Sequence, residues 1–253
     1  MDLKLNGKKV LIAGASRGIG LATAKAFVAD GGEVAICARG EAALGAASGE
    51  LPAGGGRATG HAVDISDGDA YRAWVTKAAN EIGGCDVFIP MASAGGGPAS
   101  EETWKAAFDI DLMSVFRGIE AAAPFLEASD SGAIVCVATN AALEEFAGAQ
   151  AYNDMKAAVI AHAAALSQAF APKGIRVNTV SPGPVYIEGG SWNFVKDNMK
   201  PFYDATLAAI PIGRFGNAEE IANAIVFAAS GAVPFMTGTN IVIDGGVTKR
   251  IQY

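Results

Sequence analysis

Histidine, cysteine and long uncharged apolar runs are scarce in this chain of 253 residues. It contains two histidines and three cysteines, none in a Cys-x-x-Cys pair, so we expect neither a metal site nor a disulfide framework. No apolar run approaches the ~18 uncharged residues that a membrane helix needs, so no membrane partner is expected. Acidic residues outnumber basic ones by 26 to 19, and a net charge of −7 argues against nucleic acid as a partner.

The first residues and the isolated cysteines favour the same compartment. Residues 1–7 lack the charged-then-apolar layout of a secretory signal. An odd number of unpaired cysteines suits a reducing environment. We therefore expect a cytoplasmic protein.

Apolar strand-like runs alternate with helix-like segments along the whole chain. This alternation predicts an α/β fold, a single doubly wound domain over residues 1–253 with a central parallel sheet of about seven strands and helices on both faces. The predicted strands are 8–13, 33–38, 57–63, 86–89, 132–138, 175–180 and 240–244, and the predicted helices are 19–30, 41–48, 69–82, 101–125, 150–171 and 218–229.

One long stretch, residues 185–214, lies outside this alternation. Loops of such length are usually functional, so we predict a substrate-binding lid at 185–214. Its Tyr186 and Trp192, together with Phe146, are candidate contacts for an apolar or aromatic small-molecule substrate. Aromatic residues also pack lids onto domains and build subunit contacts, and the sequence leaves that alternative open.

The segment 14–20 follows the first strand and opens the first helix with three glycines. Glycine lets the backbone approach a ligand closely, and a helix N-terminus offers N–H groups to a pyrophosphate. A plain tight turn is the alternative. The predicted dinucleotide contacts here are Gly14, Ser16, Arg17, Gly18, Ile19 and Gly20.

Arg39 follows the second strand, at the position where an acidic residue would bind the ribose hydroxyls of NAD. An arginine there, with Arg17 nearby, favours a 2′-phosphate through its forked donors. We therefore expect NADP(H) as cofactor, with NAD(H) as the alternative if Arg39 is only a solvated loop residue.

Tyr152 and Lys156 are four residues apart in an alanine-rich predicted helix. That spacing places both on one helix face. A nearby cation lowers the pKa of a tyrosine and makes it a usable acid/base. Tyr-x-x-x-Lys often arises by chance, so the pair gains its weight from the glycine segment and the hydroxyl of Thr139 upstream.

These motifs resemble the short-chain dehydrogenase/reductase family, and among its members the 3-oxoacyl carrier-protein reductases. The resemblance covers essentially the whole chain. It includes Ile-Arg-Val-Asn-Thr-Val-Ser-Pro-Gly at 175–183 and Thr-Gly-Thr-Asn-Ile-Val-Ile-Asp-Gly-Gly at 237–246, in the family's order. It implies a Rossmann domain that transfers hydride between a nicotinamide cofactor and a ketone or secondary alcohol.

The resemblance also implies residue roles. Tyr152 would be the general acid/base, Lys156 would hold the nicotinamide ribose and lower the pKa of Tyr152, and Thr139 stands where the family has its catalytic serine. The family assembles as dimers or tetramers, so a homo-oligomer, either a dimer or a homotetramer, is expected. Its contacts would involve helix 150–171, the helix before it (101–125), and the last strand and tail 250–253. Further implied cofactor contacts are Asp64, Ile65, Ala92, Pro182, Gly183 and Val185.

The sequence departs from the family pattern beside the site. Thr139 keeps the hydroxyl of the usual serine. Pro90 and Met91 replace asparagines that brace the central strands, which puts local stability in question. Asp111 replaces the asparagine that supports a proton-relay water. If a backbone carbonyl holds that water, as the resemblance implies, the replacement has a mild effect. If the Asp111 carboxylate lies near Lys156, it should raise the pKa of Tyr152 and move the pH optimum upward, so Asp111 joins the catalytic candidates.

Two alternatives accompany this hypothesis. One is reduction of a 3-oxoacyl thioester on a carrier protein, although a chain of net charge −7 gains no attraction for an acidic carrier. The other is a cofactor-binding sensor without turnover.

Overall fold

The computed structural model describes residues 2–51 and 55–251. One sheet of seven parallel strands runs in the order β3-β2-β1-β4-β5-β6-β7, which confirms the predicted doubly wound α/β fold. The strands are β1 Lys9–Ala13, β2 Glu33–Ala38, β3 Arg57–Ala62, β4 Val87–Pro90, β5 Ala133–Val137, β6 Arg176–Pro182 and β7 Asn240–Ile243. The helices are α1 Gly18–Ala29, α2 Glu41–Gly49, α3 Gly68–Glu81, α4 Glu101–Ala107, α5 Ser114–Glu127, α6 Ala151–Phe170, α7 Ser191–Asn198, α8 Lys200–Ala209 and α9 Ala218–Ala229.

The helices cover both faces of the sheet because successive strand residues point to opposite sides. Val10 and Ile12 of β1 pack under α1, α2 and α9. Leu11 and Ala13 of the same strand pack under α3, α5 and α6. Strand β1 pairs with both β2 and β4, so the strand order reverses there. In open parallel sheets, ligands bind at the carboxyl ends of the strands beside such a reversal.

The predicted helix over 101–125 was wrong as a single element. Three consecutive segments occupy this region: α4, a π-helical segment Phe108–Met113, and α5. A π-helical turn is wider than an α-helical turn, so it changes the direction in which the side chains of the following helix point. Such turns are frequent at functional sites. Apolar periodicity cannot reveal one widened turn, and this turn carries Asp111.

Pro90 ends the central strand β4 without disturbing the sheet. Strand β4 pairs with β1 through Pro90, but its pairing with β5 stops at Phe88. The N–H of Met91 donates to the Ala13 carbonyl at 3.1 Å, on the β1 side. Because N–H groups alternate along a strand, Pro90 faces the β5 side, where no ladder bond is required.

The three cysteines are unpaired and buried. Burial raises the pKa of the Cys37 and Cys136 thiols to about 12. Burial also raises the pKa of Cys85. Within residues 2–51 and 55–251, no helix is long and apolar enough to cross a membrane, and no group of three or more His, Cys, Asp or Glu side chains could hold a metal ion.

Candidate active site

A cleft of about 990 Å³ opens at the carboxyl ends of the strands. Its walls come from the segment after β1, the ends of β2, β4, β5 and β6, the start of α6, and the segment 185–214. The predicted site residues on these walls are Gly14, Ser16, Arg17, Gly18, Ile19, Gly20, Arg39, Ile65, Ala92, Thr139, Phe146, Tyr152, Lys156, Pro182, Gly183, Val185 and Trp192.

Tyr152 and Lys156 lie one turn apart at the start of α6. Lys156 is buried, and its ammonium donates a hydrogen bond to the Val137 carbonyl at 3.1 Å. The same nitrogen lies 5.8 Å from the centroid of the Tyr152 ring. The end of β5 therefore fixes the lysine, and the helix fixes the tyrosine beside it.

Asp111 meets Lys156 behind the cleft. Its Oδ1 lies 3.4 Å from the lysine ammonium, with the two side chains 0% and 2% exposed. Its Oδ2 accepts a hydrogen bond from the Ala94 N–H at 3.1 Å. Oδ1 makes this ionic contact but no hydrogen bond with any described group, so the carboxylate ties the loop after β4 to the lysine.

The pKa of the Tyr152 phenol is raised well above its ordinary value. Burial of the phenol is the largest cause and the Asp111 charge is the second, while the Thr139 hydroxyl acts in the opposite direction. The Tyr–Lys spacing alone predicts a lowered pKa, so the direction is reversed. The first reason is that burial disfavours the charged phenolate, and the second is that the Asp111 carboxylate repels it.

Thr139 follows β5 and lies within the wall of the cleft. Its side chain is 8% exposed, and its Oγ1 accepts a hydrogen bond from the Ala141 N–H at 3.2 Å. The hydroxyl also acts on the phenol of Tyr152, whose pKa it lowers, and both residues line the cleft. A hydroxyl on this strand end and the phenol on α6 therefore meet in one place.

The glycine segment packs so closely against neighbouring backbone that two of its positions have no room for a side chain. A Cβ on Gly14, where φ is +90°, would lie 2.7 Å from the Cα of Ala92. A Cβ on Gly20 would collide with the carbonyl of Gly14. Helix α1 begins at Gly18, and the residues of its first turn, Gly18, Ile19 and Gly20, line the cleft. This cradle fits the pyrophosphate of a dinucleotide.

Arg17 and Arg39 are exposed at the wall of the same cleft. The Asp64 carboxylate, predicted to meet the adenine, is exposed and lies outside the cleft lining. It accepts hydrogen bonds from the N–H and hydroxyl of Ser66 at 3.0 and 2.7 Å. These bonds, and to a smaller extent the charge of Arg39, lower the pKa of Asp64.

The segment 185–214 contains α7 and α8, which the sequence did not predict. Trp192 of α7 stacks on Phe202 of α8 with centroids 5.8 Å apart. Phe146 lies 6.4 and 6.0 Å from these two rings. All three line the cleft, so the aromatic residues pack the segment onto the body and also face the cleft.

Tyr186 was predicted as a substrate contact, but the structure places it outside the cleft lining. The Lys196 ammonium lies 5.2 Å from the centroid of the Tyr186 ring. The backbone N–H of Tyr186 donates a hydrogen bond to the Gly216 carbonyl. The sequence analysis missed Phe215, whose ring lies 4.9 Å from Trp192. Phe215 follows directly after residues 185–214, so a wider window would have included it.

The fold and the site define an oxidoreductase of the nicotinamide-dependent class. Residues 14–248 match a family model described as enoyl-(acyl carrier protein) reductase. The chain is 35% identical over 253 aligned residues to isoepoxydon dehydrogenase patN of Aspergillus clavatus, covering 98% of each protein. The chain belongs to the short-chain dehydrogenase/reductase family, whose members act on alcohols and ketones with a nicotinamide cofactor.

Solved structures of family members have the same fold. A short-chain type dehydrogenase/reductase from Mycobacterium marinum has a TM-score of 0.88 at 32% identity, covering 98% of both chains. L-sorbose reductase from Gluconobacter frateurii, complexed with NADPH and L-sorbose, has a TM-score of 0.91 at 28% identity, covering 99% of this chain and 100% of that one.

Proposed function

We propose that the chain is an NADP(H)-dependent oxidoreductase for a neutral ketone or secondary alcohol of apolar or aromatic character. One observation carries the proposal. Tyr152, Thr139 and Lys156 line the same cleft as the glycine segment and Arg39. Mutually positioned groups of this kind support a catalytic role more strongly than any single motif.

When bound, NADPH would supply the hydride that reduces the carbonyl carbon. Thr139 donates a hydrogen bond to the substrate oxygen and holds it beside the phenol. Tyr152 gives its proton to that oxygen as negative charge develops there. Lys156, fixed by Val137 and Asp111, is available to the nicotinamide ribose.

The raised pKa of Tyr152 favours one direction of this reaction. A phenol with a raised pKa stays protonated at neutral pH, which is the form that reduction needs. Oxidation needs the phenolate and would therefore require a higher pH. Asp111 contributes to this preference through its charge.

NADP(H) rather than NAD(H) is the proposed cofactor because two arginines border the cleft. Arg39 follows β2, and Arg17 lies in the glycine segment. Guanidinium groups suit a 2′-phosphate, and no acidic residue takes the place of Arg39. L-sorbose reductase, which has this fold, is an NADPH complex. Asp64 is retained as a proposed adenine contact, since its neighbours Val63 and Ile65 line the cleft.

The substrate class follows from the walls near α7 and α8. Phe146, Trp192 and Phe202 supply aromatic surface, and segment 185–214 is the proposed lid. Among residues 2–51 and 55–251, the charged residues of the cleft wall are Arg17, Arg39 and Lys156, which are assigned to the cofactor. A substrate carboxylate would therefore lack a dedicated partner.

Reduction of a 3-oxoacyl thioester is the second candidate, favoured by 32% identity over 252 residues to a 3-oxoacyl-[acyl-carrier-protein] reductase of Chlamydia pneumoniae. The lid lysines do not support docking of an acidic carrier. Lys200 is bonded to Asp204 at 2.7 Å, and Lys196 lies over Tyr186. The sensor alternative is disfavoured by the trio Tyr152, Lys156 and Thr139, which a non-enzyme does not need.

Assembly and location are also part of the proposal. A dimer or tetramer is supported by Trp104, Phe108 and Phe116, which are 39, 47 and 42% exposed along α4, the π-helical segment and α5. Phe116 lies 6.3 Å from His162 of α6, so the same surface includes the predicted contact helix. Residues 252–253 of the predicted tail contact lie outside the described residues. The buried, unpaired cysteines support a reducing cytoplasm.

The test is oxidation of NADPH with a panel of aryl ketones, small aliphatic ketones and 3-oxoesters. Tyr152→Phe removes only the phenol oxygen, so it should lower kcat by about 10²–10⁴-fold while NADPH still binds. Binding of NADPH by the wild type without turnover of any panel member would favour the sensor instead.

A further inference from the structure

One carboxylate joins the turn between Thr139 and Tyr152 to the C-terminal part of the chain. Glu144 Oε1 accepts hydrogen bonds from the backbone N–H groups of Lys249 at 2.9 Å and Arg250 at 2.7 Å. We propose that this latch, formed by Glu144 and the backbone of residues 249–250, positions the turn 140–150. Glu144 is then a positioning residue for substrate binding.

The segment that reaches the latch is fixed to the sheet. Ile243 of β7 pairs with Pro182 of β6. The next residue, Asp244, packs directly against Gly183. A Cβ added to Gly183 would clash with Asp244. The Asp244 carboxylate accepts hydrogen bonds from the N–H groups of Gly246 at 2.9 Å and Thr248 at 2.8 Å. The position of Glu144 is therefore set by a segment that is itself held at the end of β7.

The turn at the other end of the latch contains backbone strain. Ala147 has φ +59°, a conformation that residues other than glycine rarely adopt. Such strain persists only where the surroundings over-determine it. The Ala147 carbonyl accepts a bond from the Gln150 amide at 3.1 Å, and the Gly148 N–H donates to Glu145 at 2.8 Å. These local bonds hold the bend, and the latch holds the turn against the body.

Phe146 is the residue through which the latch would act on substrate. Its carbonyl accepts a hydrogen bond from the Asn153 amide at 3.1 Å, and its ring packs on Trp192 and Phe202. Loss of the latch would let the turn open locally and would displace this wall of the cleft. The effect on substrate binding rests on the proposed function, whereas the positioning of the turn does not.

Four variants separate the backbone latch from a charge effect. Glu144→Ala removes the acceptor, and Glu144→Gln keeps an acceptor oxygen at the same reach. Lys249→Ala and Arg250→Ala leave the bonded N–H groups in place, so they serve as controls. If the latch works through the backbone, the two controls behave like the wild type.

Amide hydrogen exchange of the full-length protein tests the positioning. Glu144→Ala should accelerate exchange by about tenfold in both 140–150 and 247–251, because local opening of both segments becomes easier. Glu144→Gln and the two controls should stay within about threefold of the wild type. Unchanged exchange in 140–150 would overturn the proposal, as would the same acceleration in Lys249→Ala.

Kinetics with the panel ketone that the wild type reduces best give the second readout. Glu144→Ala should raise KM about tenfold, equivalent to ~1.4 kcal/mol, with kcat and NADPH affinity little changed. A fall in kcat with unchanged KM would overturn the role in substrate binding. If the wild type reduces no ketone, the proposed function fails, and the exchange experiment still decides whether the latch exists.

Discussion

The Asp111 carboxylate lies 3.4 Å from the Lys156 ammonium, and both side chains are almost wholly buried. In a low-dielectric interior each charge depends on the other, because either one alone would carry a large desolvation cost. The same pairing offsets the positive charge that would stabilise a Tyr152 phenolate. Asp111 therefore connects the stability of the site to its proton chemistry.

Replacing Asp111 by asparagine should shift the pH dependence of both reaction directions. Burial first and the Asp111 charge second raise the pKa of Tyr152, so removal of the charge lowers that pKa. Reduction needs the phenol and declines as pH rises through this pKa, whereas oxidation needs the phenolate and increases. In Asp111→Asn, the fall in the rate of reduction and the rise in the rate of oxidation should therefore both occur at lower pH. The measurement is kcat/KM against pH in each direction, and superimposable profiles would remove Asp111 from the proton chemistry.

Truncation of Asp111 should destabilise the fold. Asp111→Ala leaves the Lys156 charge buried and unpaired, which typically costs about 3–5 kcal/mol. Asp109→Ala is a matched control in the same π-helical segment, since Asp109 is half exposed and lies 3.5 Å from Arg117. Because the Asp109 carboxylate is half exposed, loss of this contact should cost less, about 1 kcal/mol. Urea unfolding measures both, and equal losses would contradict the burial argument.

The hydroxyl of Thr139 should matter more than its methyl group. Thr139→Val keeps the shape but removes the donor to the substrate oxygen, so kcat should fall by about 10²–10³-fold. Thr139→Ser keeps the donor and should retain activity within about threefold. Because the hydroxyl also caps the turn through Ala141, melting curves must accompany the rates. Activity of Thr139→Val near the wild-type level would exclude this role.

Arg39 should determine the choice between the two nicotinamide cofactors. In Arg39→Ala, the preference for NADPH over NADH should fall by about 10–100-fold, as expected for loss of a charged hydrogen bond worth ~1.5–3 kcal/mol. Arg57→Ala is the matched control, because Arg57 is exposed on β3 and contacts Glu33 at 3.4 Å. The ratio of kcat/KM for the two cofactors is the readout. An unchanged ratio would mean that Arg39 is a solvated loop residue.

Strong local signals let the sequence predict most of the fold. Strand β2 and helix α9 have the predicted bounds. In β2 an apolar run follows two glycines, and α9 starts with a capping box in which Asn217 and Glu220 bond each other's backbone. The alternation of strands and helices predicted a doubly wound parallel sheet, but the strand order and the end of the β5 ladder before Pro90 come only from the observed pairing.

Other features lack a periodic signal. Helices α7 and α8 were not predicted because α7 buries none of its side chains and α8 only Thr206. Without a buried stripe, apolar periodicity has little to detect. The raised pKa of Tyr152 comes first from burial of the phenol and second from Asp111, which is 41 positions away in sequence. Residue spacing describes one helix face and does not report a contact between elements.

The three buried thiols can be used to measure unfolding of the protein. Cys37 and Cys136 lie on β2 and β5, which are both interior strands of the sheet, and Cys85 lies just before β4. Since the thiolate is the reactive form, a raised pKa and burial together block alkylation in the native state. Labelling by a maleimide dye would then proceed only through the unfolded population, and its rate would measure how often the central sheet comes apart.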